Sequence, residues 1–127
     1  MATRASIKFK DSDGNFIANV YHHWDGYPSG LGAKLLELTG DVIVDPNCYS
    51  NGFGCLVASV IKGLKDGPGG VYLYSESDYG NAGEEYLYEV VESEDGCQVL
   101  VKSLHADIGT GDVFVPVKDV VVIENNK

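Results

Sequence analysis

Alternation of apolar and polar positions defines the first element: Ala5, Ile7 and Phe9 alternate with Ser6, Lys8 and Lys10, the two-residue period of a half-buried strand. Asp11-Ser12-Asp13-Gly14-Asn15 supplies turn chemistry, and Gly14 tolerates the positive φ that a tight loop requires. Alternation resumes from Phe16 to His23, so the first two strands read as a hairpin, with His22 and His23 pointing to opposite faces. Asp25-Gly26-Tyr27-Pro28-Ser29 breaks the strand, and Ser29 is the expected N-cap of a helix with Leu31, Leu35 and Leu38 at i, i+4 and i+7 and Gly40 as its stop. After an irregular stretch from Asp41 to Gly52, Phe53, Leu56, Val57, Val60, Ile61 and Leu64 keep helical spacing up to the break at Asp66-Gly67-Pro68-Gly69-Gly70.

The C-terminal half predicts four strands, Val71 to Ser75, Glu85 to Glu92, Cys97 to Ser103 and Val113 to Val117, with Glu94-Asp95-Gly96 as the turn between the middle two. Short connections suggest antiparallel pairing. The order β-β-α-α-β-β-β-β predicts a single α+β domain over 1–127, with a mainly antiparallel sheet and two helices packed on one face.

Composition narrows the class. The 127 residues, 44% of them hydrophobic, suffice for one core without obligatory disulfides or metals. Apolar runs such as Val120 to Ile123 fall far below the roughly 20 residues that span a bilayer, and Met1-Ala2-Thr3-Arg4 carries no apolar signal segment. A cytoplasmic protein with no membrane partner is the expectation. Cys48, Cys55 and Cys97 form no C-x-x-C pair and read as free thiols. A net charge of −10, with Arg4 the sole arginine, argues against direct nucleic-acid binding. From Glu76 to Asp95 eight acids occur with no Lys or Arg. That run is either a set of solvated faces or a surface imitating nucleic acid.

The candidate chemistry gathers at His22 through Gly32, which holds the only Trp and two of three His. His23-x-Asp25 could orient an imidazole as a base or metal ligand; the alternative is Asp25 capping the turn while the histidines satisfy backbone groups. His105 near Asp107 adds no metal spacing. Free amides around Ser29, Gly30 and Gly32 could hold an anion, with Trp24 or Tyr27 stacking on a base. Tyr72 and Tyr74 share one strand face, as do Tyr86 and Tyr88; if paired they form a tyrosine ladder, structural or ligand-facing. Tyr79, in a Gly-flanked loop, could fold over a ligand. A cysteine nucleophile is disfavoured, since neither loop residue Cys48 nor helix-start Cys55 has a positioned histidine.

The segment His23-Trp24-Asp25-Gly26-Tyr27-Pro28, following an N-terminal hairpin, resembles a family of small uncharacterised bacterial and phage proteins carrying H-x-D-G-Y-P, and Glu85-Tyr86-Leu87-Tyr88-Glu89-Val90 is similar to them too. The resemblance implies a phage or prophage accessory protein acting on its host, including antagonism of antiviral defence, and then a host-cytoplasmic location. The leading expectation is a small binding protein that captures a nucleotide-like signalling molecule, as a homo-oligomer, through Arg4, His22, His23, Trp24, Asp25, Tyr27, Ser29, Gly30 and Tyr79, with His23 the preferred histidine. No catalytic residue, metal or cofactor is assigned. The alternatives are an acidic inhibitor of a host defence protein and a small hydrolase or lyase using His23 and Asp25.

Overall fold

A computed structural model describes residues 3–39, 52–93, 96–104 and 113–125. The expected hairpin is present as β1 (Ala5–Lys10) and β2 (Phe16–His22), paired antiparallel. Its turn is closed by Asp11, whose carboxylate accepts the amides of Asp13 (3.0 Å) and Asn15 (2.9 Å). Those bonds, the Asn15 backbone one foremost, hold the Asp11 carboxyl below its ordinary value.

A π-helical turn (Pro28–Gly32) leads into α1 (Ala33–Thr39), followed by α2 (Phe53–Leu64) and β3 (Val71–Tyr74). A 3-10 turn (Glu76–Asp78) precedes β4 (Tyr86–Ser93), β5 (Gly96–Ser103), the two-residue β6 (Val115–Pro116) and α3 (Val117–Asn125). The expected stop at Gly40, Cys48 and the turn residues Glu94 and Asp95 lie outside the described residues.

The fold is α+β, but the sheet is mixed. Its order is β3-β2-β1-β4-β5-β6, and β1 runs parallel to β4 while the other four pairings are antiparallel. Strands β3 and β4 are therefore not neighbours. The chain between them, 75–85, crosses the sheet and is close to the roughly dozen residues a parallel crossover needs. Tyr79 anchors that crossing: its hydroxyl donates to the Tyr88 carbonyl at 2.7 Å, and the Lys8 ammonium lies 4.6 Å from its ring centre. A tyrosine ladder joining Tyr72 and Tyr74 to Tyr86 and Tyr88 is thus ruled out. Tyr86 and Tyr88 sit in the core on the other face.

Alternation assigns the faces. Ala5, Ile7 and Phe9 of β1 lie beside Val20 and Ala18 of β2 and Tyr86, Tyr88 and Val90 of β4, and Val99 and Val101 of β5 continue the row. Onto this face pack Leu31, Leu35, Leu36, Phe53, Leu56, Val57, Val60 and Leu64, in one cluster with Val117 and Val120. A third helix thus joins the two expected. The stretch from Val113 to Val117 looks strand-like because β-branched residues favour strands, yet Val117 and Val120, one helical turn apart, are both buried. Their burial outweighs the small propensity penalty of valine, and Pro116 just before the first helical residue ends the strand.

Gly32 sets the distance between layers: a Cβ there would lie 2.9 Å from the Val117 side chain and 3.5 Å from the Tyr88 ring. Gly32→Ala should therefore destabilise by about 1–3 kcal/mol through overpacking. Gly54, in α2 with open space around it, should give the opposite sign on Gly54→Ala, about 0.5–1 kcal/mol of stabilisation. Urea midpoints of the two variants check this, and shifts of the same sign would refute the packing at Gly32.

Candidate functional site

The strand-to-helix joint is built by its backbone. Asp25 adopts φ +54°, the left-handed region that Asp and Asn enter more readily than most residues. Its carbonyl accepts the Leu31 amide at 2.8 Å, and the Tyr27 carbonyl accepts the Gly30 amide at 2.9 Å. Gly30 is required at that closure, since a Cβ would fall 2.6 Å from the Asp25 carbonyl oxygen. The helical turn begins at Pro28, with Tyr27 in the capping position and no side-chain cap. Ser29 is thus inside the first turn and exposed rather than the N-cap, because proline's fixed φ suits the first helical residue. Gly30 and Leu31 already spend their amides within the joint, which removes them from the anion cradle expected there.

The joint opens onto a cavity of about 260 Å³ lined by His22, Asp25, Tyr27, Gly30, Leu31, Lys34, Gly63 and Leu64. Leu31 and Leu64 supply buried apolar walls. Lys34, half-exposed and 4.0 Å from Glu37, supplies a cation, and Asp25 an anion that accepts the Tyr27 hydroxyl at 3.3 Å. The Asp25 charge is the main reason the Tyr27 hydroxyl is pushed above its ordinary pKa. His22 Nδ1 is closed off from solvent and has no hydrogen-bond partner among the described residues. Burial holds the His22 imidazole below its usual pKa, partly offset by the Trp24 backbone and the Asp25 charge.

Of the nine expected residues Ser29 is exposed on the helical turn, and the other eight divide between two faces. Four of them, His22, Asp25, Tyr27 and Gly30, line the cavity. His23 does not: its Nδ1 shares a 2.9 Å hydrogen bond with the Tyr21 hydroxyl, and its amide donates to the Gly70 carbonyl. His22, not the preferred His23, is the histidine at the cavity, since β2 alternation turns His22 toward the helices. Trp24 packs edge-on against His23 at 5.3 Å and against Gly70, away from the cavity. Arg4 lies against Gly83 on the loop-covered face, where its charge partly offsets the upward push of burial on the Tyr21 hydroxyl. Tyr79 is the loop anchor already described, and burial drives its hydroxyl far above the ordinary value. Lys34 escaped the sequence reading, although it sits at i+4 from Gly30, one turn further along the same helical face.

Several acids of the run serve the fold. Glu84 is buried, and its carboxylate accepts the amides of Gly80 (2.8 Å) and Ala82 (2.6 Å). Glu89 pairs with Lys10 at 2.7 Å, and Glu92 accepts the Ser12 amide. Cys55 is exposed on α2, while His105 and Asp107 lie outside the described residues. Among the described residues no group of three or more His, Cys, Asp or Glu is placed to hold a metal. No helix among them is long and apolar enough to cross a membrane.

No family model and no solved structure matches the chain. It is similar to a proline–tRNA ligase of Ehrlichia chaffeensis, at 24% identity over 104 residues, which cover 82% of this chain. The chain spans only 24% of that ligase's length.

His22 makes stability pH-dependent. Its folded pKa lies below the ordinary 6.5, so the unfolded chain binds the proton more tightly; the contribution is complete above pH 6.5 and is lost as pH falls from there toward the folded value. Between pH 7.5 and 5.5 the wild type should lose more stability than His22→Gln. Equal losses in paired urea titrations would show that His22 is not buried as described.

Proposed function

We propose that this chain is a small binding protein that captures a nucleotide-like molecule in the cavity beside His22. The observation that carries this reading is the composition of the cavity lining, which joins a lysine, an aspartate and a tyrosine to the buried leucines Leu31 and Leu64. Its volume lies just under the 300–1,000 Å³ usual for small-molecule sites, so the ligand is held in part and protrudes. Lys34 faces the phosphate, Asp25 accepts from a ribose hydroxyl or a base amine, and Tyr27, 39% exposed, offers a ring face for stacking. Arg4, expected among the ligand residues, lies on the other face and leaves Lys34 as the cation at the cavity.

The resemblance to phage proteins suggests a use for such capture, the sequestration of a host signalling nucleotide in anti-defence. The acidic-inhibitor alternative is weakened because Glu84, Glu89 and Glu92 already hold the fold together. The partial likeness to a proline–tRNA ligase gives no cavity residue a role, and a net charge of −10 speaks against a tRNA backbone as the occupant.

Isothermal titration with mononucleotides, cyclic dinucleotides and ADP-ribose tests the reading. One of these should bind with measurable heat, and Lys34→Ala should weaken it about tenfold, as loss of a charged partner does. Asp25→Asn, which keeps the left-handed backbone available, should weaken it without unfolding the joint. Absence of heat with every compound, or binding indifferent to both substitutions, overturns the proposal.

A further inference from the structure

The two edges of the sheet are unlike. At one end β6 has two residues and ends in Pro116, the short, proline-blunted form that prevents strand addition. At the other end β3 presents Tyr72, Leu73 and Tyr74 in succession, 46%, 69% and 37% exposed. These are three of the eight exposed large apolar residues among the described ones. On the loop-covered face Tyr72 and Tyr74 extend a packed aromatic row, with Tyr21 stacked on Tyr74 at 5.0 Å and 9°. The row ends in open space at the sheet edge.

The backbone of β3 has no strand neighbour on its outer side among the described residues. The Gly70 carbonyl accepts the His23 amide, so alternation turns the peptide groups of Gly70, Tyr72 and Tyr74 toward β2 and those of Val71 and Leu73 outward. Lys65 marks the outer side: its ammonium donates to the Val71 carbonyl at 2.9 Å and to Gly69 at 3.1 Å. It also lies 5.5 Å from the Tyr72 ring centre. At the opposite end of the strand follow Glu76 and Asp78 of the 3-10 turn. One end of this edge is basic and the other acidic.

We propose that the β3 edge is a homodimer interface in which a second copy adds its own β3 antiparallel, about a two-fold axis through Leu73. An antiparallel pair is self-complementary, as a two-fold interface must be. In this register Leu73 faces Leu73 of the second copy on the helix side. Tyr72 faces the other Tyr74 on the loop side, so the aromatic row runs on through both subunits. Val71 stands opposite the other Ser75, which carries Lys65 to the acidic turn at Glu76 and Asp78 of the second copy. Symmetry repeats that contact, so each lysine exchanges its own strand's carbonyl for the other subunit's carboxylates. A second copy in this register matches both the charge order and the apolar pattern of the edge.

Sedimentation velocity of the full chain over 1–200 μM, a range of about two decades chosen around ordinary dimer affinities, tests the proposal. The wild type should dimerise. Leu73→Lys, which places two ammonium groups face to face at a largely exposed position, should raise the dissociation constant by at least about a hundredfold. Lys65→Glu should raise it by about tenfold through like-charge repulsion, and adding Glu76→Lys should restore it. Circular dichroism establishes that each variant is folded. A wild type that stays monomeric at the highest concentration overturns the proposal, as does a dimer unaffected by either Leu73→Lys or Lys65→Glu.

Discussion

Tyr88 is the residue on which the two faces of this protein depend. Its ring is buried among the helices, and its hydroxyl donates to the Gly26 carbonyl at 2.6 Å, which ties the inner strand β4 to the strand-to-helix joint. On the other side of the sheet the Tyr88 backbone carbonyl accepts the Tyr79 hydroxyl and so holds the crossing loop down. The parallel register of β1 and β4, with Ile7 opposite Tyr88, places both bonds at the centre of the sheet. Removing the hydroxyl would strand a carbonyl away from water, a penalty of about 1–3 kcal/mol, comparable to a substantial part of the net stability of a small domain.

That geometry explains why residues close in sequence serve separate purposes. His22 and His23 are adjacent, yet one lines the cavity and the other belongs to an aromatic row on the opposite face. Arg4 and Tyr79 lie on the loop-covered side with His23. The acids gathered between Glu76 and Glu92 look like one surface when written out. Folded, Glu84 cradles a loop, Glu89 neutralises Lys10 and Glu92 caps the first hairpin.

The parts legible in the sequence are those whose burial follows a local period. The first hairpin, the face of α2 and the separation of the two histidines all follow from alternation or 3.6-residue spacing. The parallel pairing of β4 with β1 does not, because it depends on where an irregular loop lands and on a single tyrosine that anchors it. Helix α3 was hidden for another reason: valine-rich sequence favours strands locally, and only packing of Val117 and Val120 against the sheet reverses that preference. At the site, the side chains of the H-x-D-G-Y-P segment were legible as a joint, but the amides of Gly30 and Leu31 are consumed by that joint. Lys34 was missed because a lone lysine on a helix ordinarily signifies solvent exposure.

The cavity and the exposed edge meet in one short piece of chain. Gly63 and Leu64 form a wall of the cavity, and the next residue, Lys65, reaches across to β3. The Lys65 amide also closes α2 by donating to the Ile61 carbonyl at 3.0 Å, so its backbone belongs to the helix while its side chain reaches the Gly69 and Val71 carbonyls, the second contact part-buried. On the strand side, Val71 pairs with His22, the residue whose Nδ1 is left without a partner. The α2–β3 connection therefore lines the cavity with Gly63 and Leu64 and meets the edge with the Lys65 side chain. In the proposed dimer the exchange of partners is confined to the Lys65 side chain, since the Lys65 amide and the Gly63 and Leu64 walls belong to α2 and its cap.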